Sequence, residues 1–210
     1  MTHEISRSSQ RVGRALILIG LLGGCTPQGV LFGAGALLGR TVLQERSSGD
    51  ALKDVDIELS VMTRVLEMSP RTAAGVVITS VEGRVLLTGD VESAERAAQV
   101  VSLVWLSSGV RAVANEMSVN SSGGMGGAAS DLALAASIRL RLLRDPGIAD
   151  INFTILADGG TVHLAGLARD AEELRKLVWH ARRVAGVVRV VSHVLFLDDP
   201  RRLEERDRPV

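Results

Sequence analysis

The sequence predicts an α/β (α+β) fold made of two tandem α-β-β-α-β domains, each a three-stranded mixed sheet packed on two helices. Three observations predict it. Adding 77 to a position in residues 54–119 lands on its counterpart in residues 131–197, with no gap. Asp54 meets Asp131, Arg64 meets Arg141, Gly83 meets Gly160, Gly89 meets Gly166 and Gly109 meets Gly186. Each copy also holds two β-branched apolar runs around an acidic-Gly turn, the pattern of a β-hairpin. The hairpin lies between two segments whose apolar residues recur at helical spacing. Hydrophobic content of 46% with 23% charged residues supports packed cores rather than disorder.

The N-terminus is a targeting segment. Arg7, Arg11 and Arg14 precede the apolar run 15–22, and Gly23 and Gly24 lead into Cys25, the only cysteine of the chain. A basic start, an apolar run and small residues before a cleavage point mark an export signal, here residues 1–24. Leu22-Gly23-Gly24-Cys25 resembles the lipobox of bacterial lipoproteins. The resemblance implies diacylglyceryl transfer to the Cys25 thiol, cleavage before it and acylation of the new amino group. Each buried methylene of such chains contributes about 0.8 kcal/mol, so several chains together hold a protein on a bilayer. The competing reading is an uncleaved membrane span, because apolar character resumes through residues 31–38. Thr26, Pro27 and Gln28 interrupt it, and the first run is shorter than the roughly 20 residues that span a bilayer. Thr26 in place of Asp after the anchor fits the outer-membrane sorting rule of enteric lipoproteins, on the periplasmic face. Residues 25–53 read as a tether. One cysteine leaves no internal disulfide.

In the first copy Ile57, Val61 and Val65 share a helical face, matched by Leu134, Ile138 and Leu142, and Pro70 and Pro146 stop these helices. The hairpins follow as 76–79 with 84–88 and 153–156 with 161–165, with Gly89 and Gly166 ending the second strands. Ser93 and Asp170 are N-caps, and Asp170 with Glu173 has capping-box spacing. The second helices bury Ala97, Val100, Val101 and Val104, or Leu174, Leu177, Val178 and Ala181, and close at the C′ residues Gly109 and Gly186. Third strands span 110–119 and 187–197, each completing a right-handed β-α-β crossover. Residues 120–130 read as a Gly/Ser linker and 198–210 as a charged tail.

Gly83-x-Val85-x-Leu87-x-Gly89 before a helix and Gly109-Val110-x-x-Val113 after it resemble the BON domain (bacterial OsmY and nodulation) across nearly all of residues 54–197. With the lipobox, the chain is similar to dual-BON lipoproteins of the Gram-negative outer membrane. That resemblance implies phospholipid or envelope binding and support of envelope integrity. The motif residues are glycines and apolar core positions, so they specify fold and not chemistry.

No catalytic set is expected and no cofactor. Ser, His and Asp occur without a nucleophile motif, and the glycines lack the spacing of a phosphate loop. His163, His180 and His193 have Leu86, Leu103 and Glu116 as repeat counterparts, so they belong to no shared site. His163 and His193 fall on neighbouring strands, but two histidines alone make a poor zinc site, and no metal is expected. With 2% aromatics, no Tyr and equal numbers of acidic and basic residues, nothing points to nucleic acid.

Charge divides between the copies. Residues 54–119 carry nine acidic and five basic residues, residues 131–197 seven acidic and nine basic. Arg175, Lys176, Arg182 and Arg183 form a stripe opposite the apolar face of the last helix, and Arg139, Arg141 and Arg144 lie among leucines on the preceding one. A basic and aliphatic face beside an anchored bilayer suits anionic phospholipid headgroups; the alternative is a plain solvated face. Trp179 either anchors in an interface or packs. A 66-residue unit is marginal alone. The copies therefore pack on each other or on an envelope partner, and Arg64 and Arg141 serve such an interface or lie free at the surface.

Overall fold

The structure is a computed structural model and describes residues 48–119 and 127–202. The export signal at 1–24, Cys25, most of the tether, the heart of the linker and the end of the tail lie outside the described residues. In the first repeat α1 (Ser48–Met68) and α2 (Pro70–Gly75) lead into β1 (Val76–Val81), β2 (Arg84–Val91), α3 (Ala94–Trp105), β3 (Ala112–Asn115) and β4 (Ser118–Val119). The second has α4 (Ala128–Leu142), a 3-10 turn (Asp150–Asn152), β5 (Phe153–Asp158), β6 (Thr161–Ala168), α5 (Ala171–Arg182) and β7 (Arg189–Phe196).

Both repeats place the second strand centrally, antiparallel to the first and parallel to the third, which makes the expected mixed sheet. Glu82 and Gly83 have φ of 53° and 77°, and Gly159 and Gly160 of 54° and 80°. Two successive positive φ values define the type I′ turn, whose twist matches that of the flanking strands. The first helix of each repeat holds that turn with a carboxylate. Asp54 accepts from Glu82 N at 2.8 Å, Gly83 N at 2.8 Å and Ser80 Oγ at 2.6 Å. Asp131, its counterpart, accepts from Gly159 N at 3.3 Å. The repeated aspartate is therefore a turn cap.

The cores follow the sequence stripes. Ile57, Val61 and Val65 pack with Val76, Val85, Leu87, Val100 and Val104; Leu134, Ile138 and Leu142 pack with Phe153, Val162, Leu164, Leu177 and Ala181. Ser93 Oγ accepts from Arg96 N and Asp170 Oδ1 from the N–H groups of Glu172 and Glu173, as expected of N-caps.

Several details differ from expectation. Residues 48–53, assigned to the tether, are helical, because Ala51 extends the buried stripe one turn upstream. Residues 128–130 of the linker likewise belong to α4. Pro70 ends α1 and also occupies the first turn of α2, where Ser69 caps it and a missing N–H costs nothing. Gly89 and Gly166 lie inside β2 and β6 rather than ending them. A Cβ on Gly89 would stand 2.1 Å from Gly75 O, and one on Gly166 2.1 Å from Asn152 O, so each glycine admits the chain entering the sheet. The helices α3 and α5 end before Gly109 and Gly186. Gly109 instead takes the third position of the turn Ser107–Val110, where positive φ is required. The first repeat's third strand is interrupted at Glu116 and Met117.

Glu173 departs from a reciprocal capping box. Its carboxylate is buried and accepts from the N–H of Arg169, one residue upstream of the cap, at 2.7 Å and from Ala149 N at 2.8 Å, while the Arg169 guanidinium closes on both oxygens. Burial raises its pKa, but the Arg169 guanidinium and the two N–H groups outweigh that and leave it below the ordinary value. No helix among the described residues is long and apolar enough to cross a membrane.

Two outcomes follow from this packing. Gly166→Ala forces a side chain into both a strained φ and a backbone oxygen, and should lower stability by about 2 kcal/mol or more in urea unfolding. A carboxylate with a depressed folded pKa stabilises above its unfolded value and loses that contribution as pH falls through the folded one. Glu173→Gln should therefore cost about 2 kcal/mol at pH 7, with the gap to wild type shrinking as unfolding is measured below the ordinary glutamate value.

Candidate functional site

Helix α5 presents a basic and aromatic face. The core side of α5 is fixed by Leu177 and Ala181, so positions 175, 179, 182 and 183 turn outward together. Arg175, Trp179, Arg182 and Arg183 are exposed there. The indole of Trp179 is 52% exposed, so it is a surface group and not a packed one. The Arg183 guanidinium lies 4.3 Å from its ring centre, and His180 meets it edge-on at 4.8 Å. That contact holds cation and indole as one unit. Lys176 departs from the stripe: it is partly buried, and its ammonium stands 3.2 Å from Glu172.

At the end of α4 and just beyond it, Arg141 and Arg144 are exposed beside the exposed Leu140 and Leu143. Arg139 is not part of that surface; it is partly buried and its guanidinium donates to Phe153 O at 3.4 Å. Asp145 and His180, 2.9 Å apart, tie the segment after α4 to α5. The His180 bond, then the Gly147 N–H, hold the Asp145 carboxyl below its ordinary pKa. Arg64, the shared basic position, donates to Ser107 Oγ at 2.6 Å within its own repeat, while Arg141 is at the surface. The equivalent end of α3 carries exposed Trp105 and Leu106 with no cations.

A second assembly lies between the repeats. Leu86, Thr79 and Thr88 point away from the helices of the first repeat, and His163, Ala165, Leu167 and Leu195 away from those of the second, yet all are buried. Alternate residues of a strand point to opposite faces, so these side chains are covered by something other than their own helices. They belong to the two sheet backs, and residues of both, among them Leu86, Ala114, Ala165 and Leu195, line one shared cleft. Glu116, in the break between β3 and β4, comes to His163 of β6 and His193 of β7, with donor atoms within 4.8 Å of one another, and His193 also lines the cleft. Burial pulls both imidazoles below the ordinary histidine pKa, against the opposing pull of Glu116. The start of the expected charged tail docks at the same seam. Arg202 donates to both oxygens of Glu82 at 2.7 Å, and Arg201 holds the Asp199 carboxyl down at a pKa of about 2.

The sequence period placed Arg175, Arg182 and Arg183 on one exposed face, with Lys176 withdrawn from it, and left Trp179 open. It missed Glu116 as a neighbour of the two histidines and Arg202 as a latch. A constant repeat offset shows which positions are equivalent, but not which equivalent positions meet.

The sequence model described as BON domain matches residues 53–121 and 130–197. The chain is 37% identical over 114 residues to a protein of Anaplasma centrale known as "Uncharacterized protein in gshII 5'region", covering 54% of this chain and 76% of that one. It is 25% identical over 186 residues to "Outer membrane lipoprotein DolP" of Haemophilus influenzae, covering 87% of this chain and 95% of the relative. A solved structure of CdsD, a structural protein of the type III secretion system of Chlamydia trachomatis, aligns with 74% of this chain and 69% of its own at 16% identity. Its TM-score of 0.29 is too low to argue from.

Breaking the Glu82–Arg202 pair leaves a buried carboxylate without that partner, a costly change. Arg202→Ala should lower stability by about 3 kcal/mol, and Glu82→Gln with Arg202→Met should recover most of the loss in a double-mutant cycle read by thermal unfolding.

Proposed function

The chain belongs to the BON domain family, and we propose that it is a non-enzymatic, lipid-anchored envelope protein whose second repeat binds anionic phospholipid and supports outer-membrane integrity. The observation that carries this reading is the exposed cluster of Arg175, Trp179, Arg182 and Arg183 on α5, with one guanidinium stacked on the indole. An amphipathic indole favours the headgroup level of a bilayer, and each cation near an anionic surface is worth about 1 kcal/mol. Arg141 and Arg144 widen the basic surface, whereas Lys176 and Arg139 contribute less because each is already engaged within the repeat. Diacylation at Cys25 would keep this face at the membrane, on the periplasmic side of the outer membrane. The likeness to a relative named as an outer membrane lipoprotein supports that location. The role read from these residues is binding, with no catalytic residue assigned.

A second reading, a protein-interaction scaffold for an envelope partner, is favoured by the exposed Trp105 and Leu106 of the acidic first repeat. The two readings separate by which face matters. Charge reversal of Arg175, Lys176, Arg182 and Arg183 should weaken binding of residues 26–210 to anionic vesicles. The loss expected is on the order of 100-fold at low salt, about 1 kcal/mol for each of the freely exposed cations. Trp179→Ala should weaken it further at high salt, where the charges are screened. Unchanged vesicle binding in the charge-reversed chain would remove the lipid reading.

A further inference from the structure

We propose that Glu116, His163 and His193 form a zinc site that staples the two repeats together. The donor set is two imidazoles and one carboxylate, a set that zinc takes with a water in the fourth position. Calcium and magnesium favour all-oxygen cages instead. Two of the side chains come from neighbouring strands and the third from a strand break. His163 and His193 are diagonal neighbours on the parallel pair β6 and β7, and Glu116 reaches them from the strand break of the first repeat.

The spacing suits a small ion. Zinc bonds of 2.0–2.2 Å set tetrahedral donors about 3.3 Å apart. His193 Nε2 and Glu116 Oε1 are already 3.4 Å apart, and all three donors lie within 4.8 Å of one another. A small side-chain rotation of His163 closes the set. His163 is 2% exposed and its Nδ1 has no hydrogen-bond partner among the described residues, while His193 Nε2 makes no hydrogen bond there and has the Glu116 carboxylate beside it. A buried polar atom left unpaired is costly, and a cation that accepts both lone pairs removes that cost. His193 lines the cleft together with Arg84 and Ala114, and both it and Glu116 are partly exposed, which gives the ion an entry path and its water.

The repeat makes the site unusual in a useful way. Glu116 and His193 are equivalent positions of the two copies, brought face to face by the packing of the sheet backs. His163 replaces Leu86 of the first copy, so the site exists once and not twice. Because its ligands span both repeats, the ion would favour only the joined arrangement. The site is independent of lipid binding by α5.

The test uses the full chain without a histidine tag, stripped with EDTA and titrated with Zn²⁺ by calorimetry, with melting followed in parallel. One zinc per chain and a raised melting temperature are expected. His163→Leu, which installs the residue of the first copy, and His193→Gln should each weaken binding by about 100-fold. Glu116→Gln, on a partly exposed side chain, should weaken it about tenfold, while His180→Gln leaves it unchanged. If His163→Leu does not fold, Glu116→Gln and the visible spectrum of the Co²⁺ form decide: intense four-coordinate bands that the Glu116 variant alters are expected. Wild type that takes up no zinc, or takes it up with the same affinity as Glu116→Gln, overturns the proposal.

Discussion

A three-stranded sheet has two faces, and a pair of helices covers one. In each repeat the helices bury Val85 and Leu87, or Val162 and Leu164, and leave Leu86, or His163 and Ala165, on the back. A unit of this size buries too little area to carry an apolar back in water. The two backs therefore share one seam, giving helix, sheet, sheet, helix layering within residues 48–202. Duplication supplied the second surface.

That constraint sorts the polar groups. Asp54 and Asp131 perform one task twice, because a type I′ turn leaves N–H groups that a helical carboxylate satisfies in both copies. Glu82, Glu116, His163 and Arg202 have no such equivalence. Glu82 faces Arg202, and Glu116 faces His193, only because the sheets meet. The outer surface is free of that requirement. There α5 carries arginines around an indole, whereas the matching end of α3 carries Trp105 and Leu106, so the two copies present different chemistry to whatever lies outside.

Much of the fold was legible in the sequence. Repeats at a fixed offset, helical stripes and β-branched runs around Glu82-Gly83 and Gly159-Gly160 are local signals, and each was matched by an element of the right type. Element ends were less legible, since Ala51 reads as neutral until the helix it extends is known to be packed. Gly89 and Gly166 read as strand ends because a lone glycine within a strand signals either an end or a close backbone approach, and only the contact with Gly75 or Asn152 decides. The basic stripe of α5 was legible from period alone, but the ion pair that withdraws Lys176 and the inward turn of Arg139 depend on neighbours. The seam was invisible for a plainer reason: alternation shows that a strand has two faces, not what covers the second.

The repeats fold as one body through their sheet backs. Trp105 and Trp179 place one indole in each repeat, so Trp105→Phe and Trp179→Phe chains report the unfolding of the second and the first separately. Coincident urea midpoints, both shifted downward when Leu86→Asp puts a charge into the seam, are what the shared interface predicts. Two separate midpoints, with Leu86→Asp moving only the transition reported by Trp105, would contradict it.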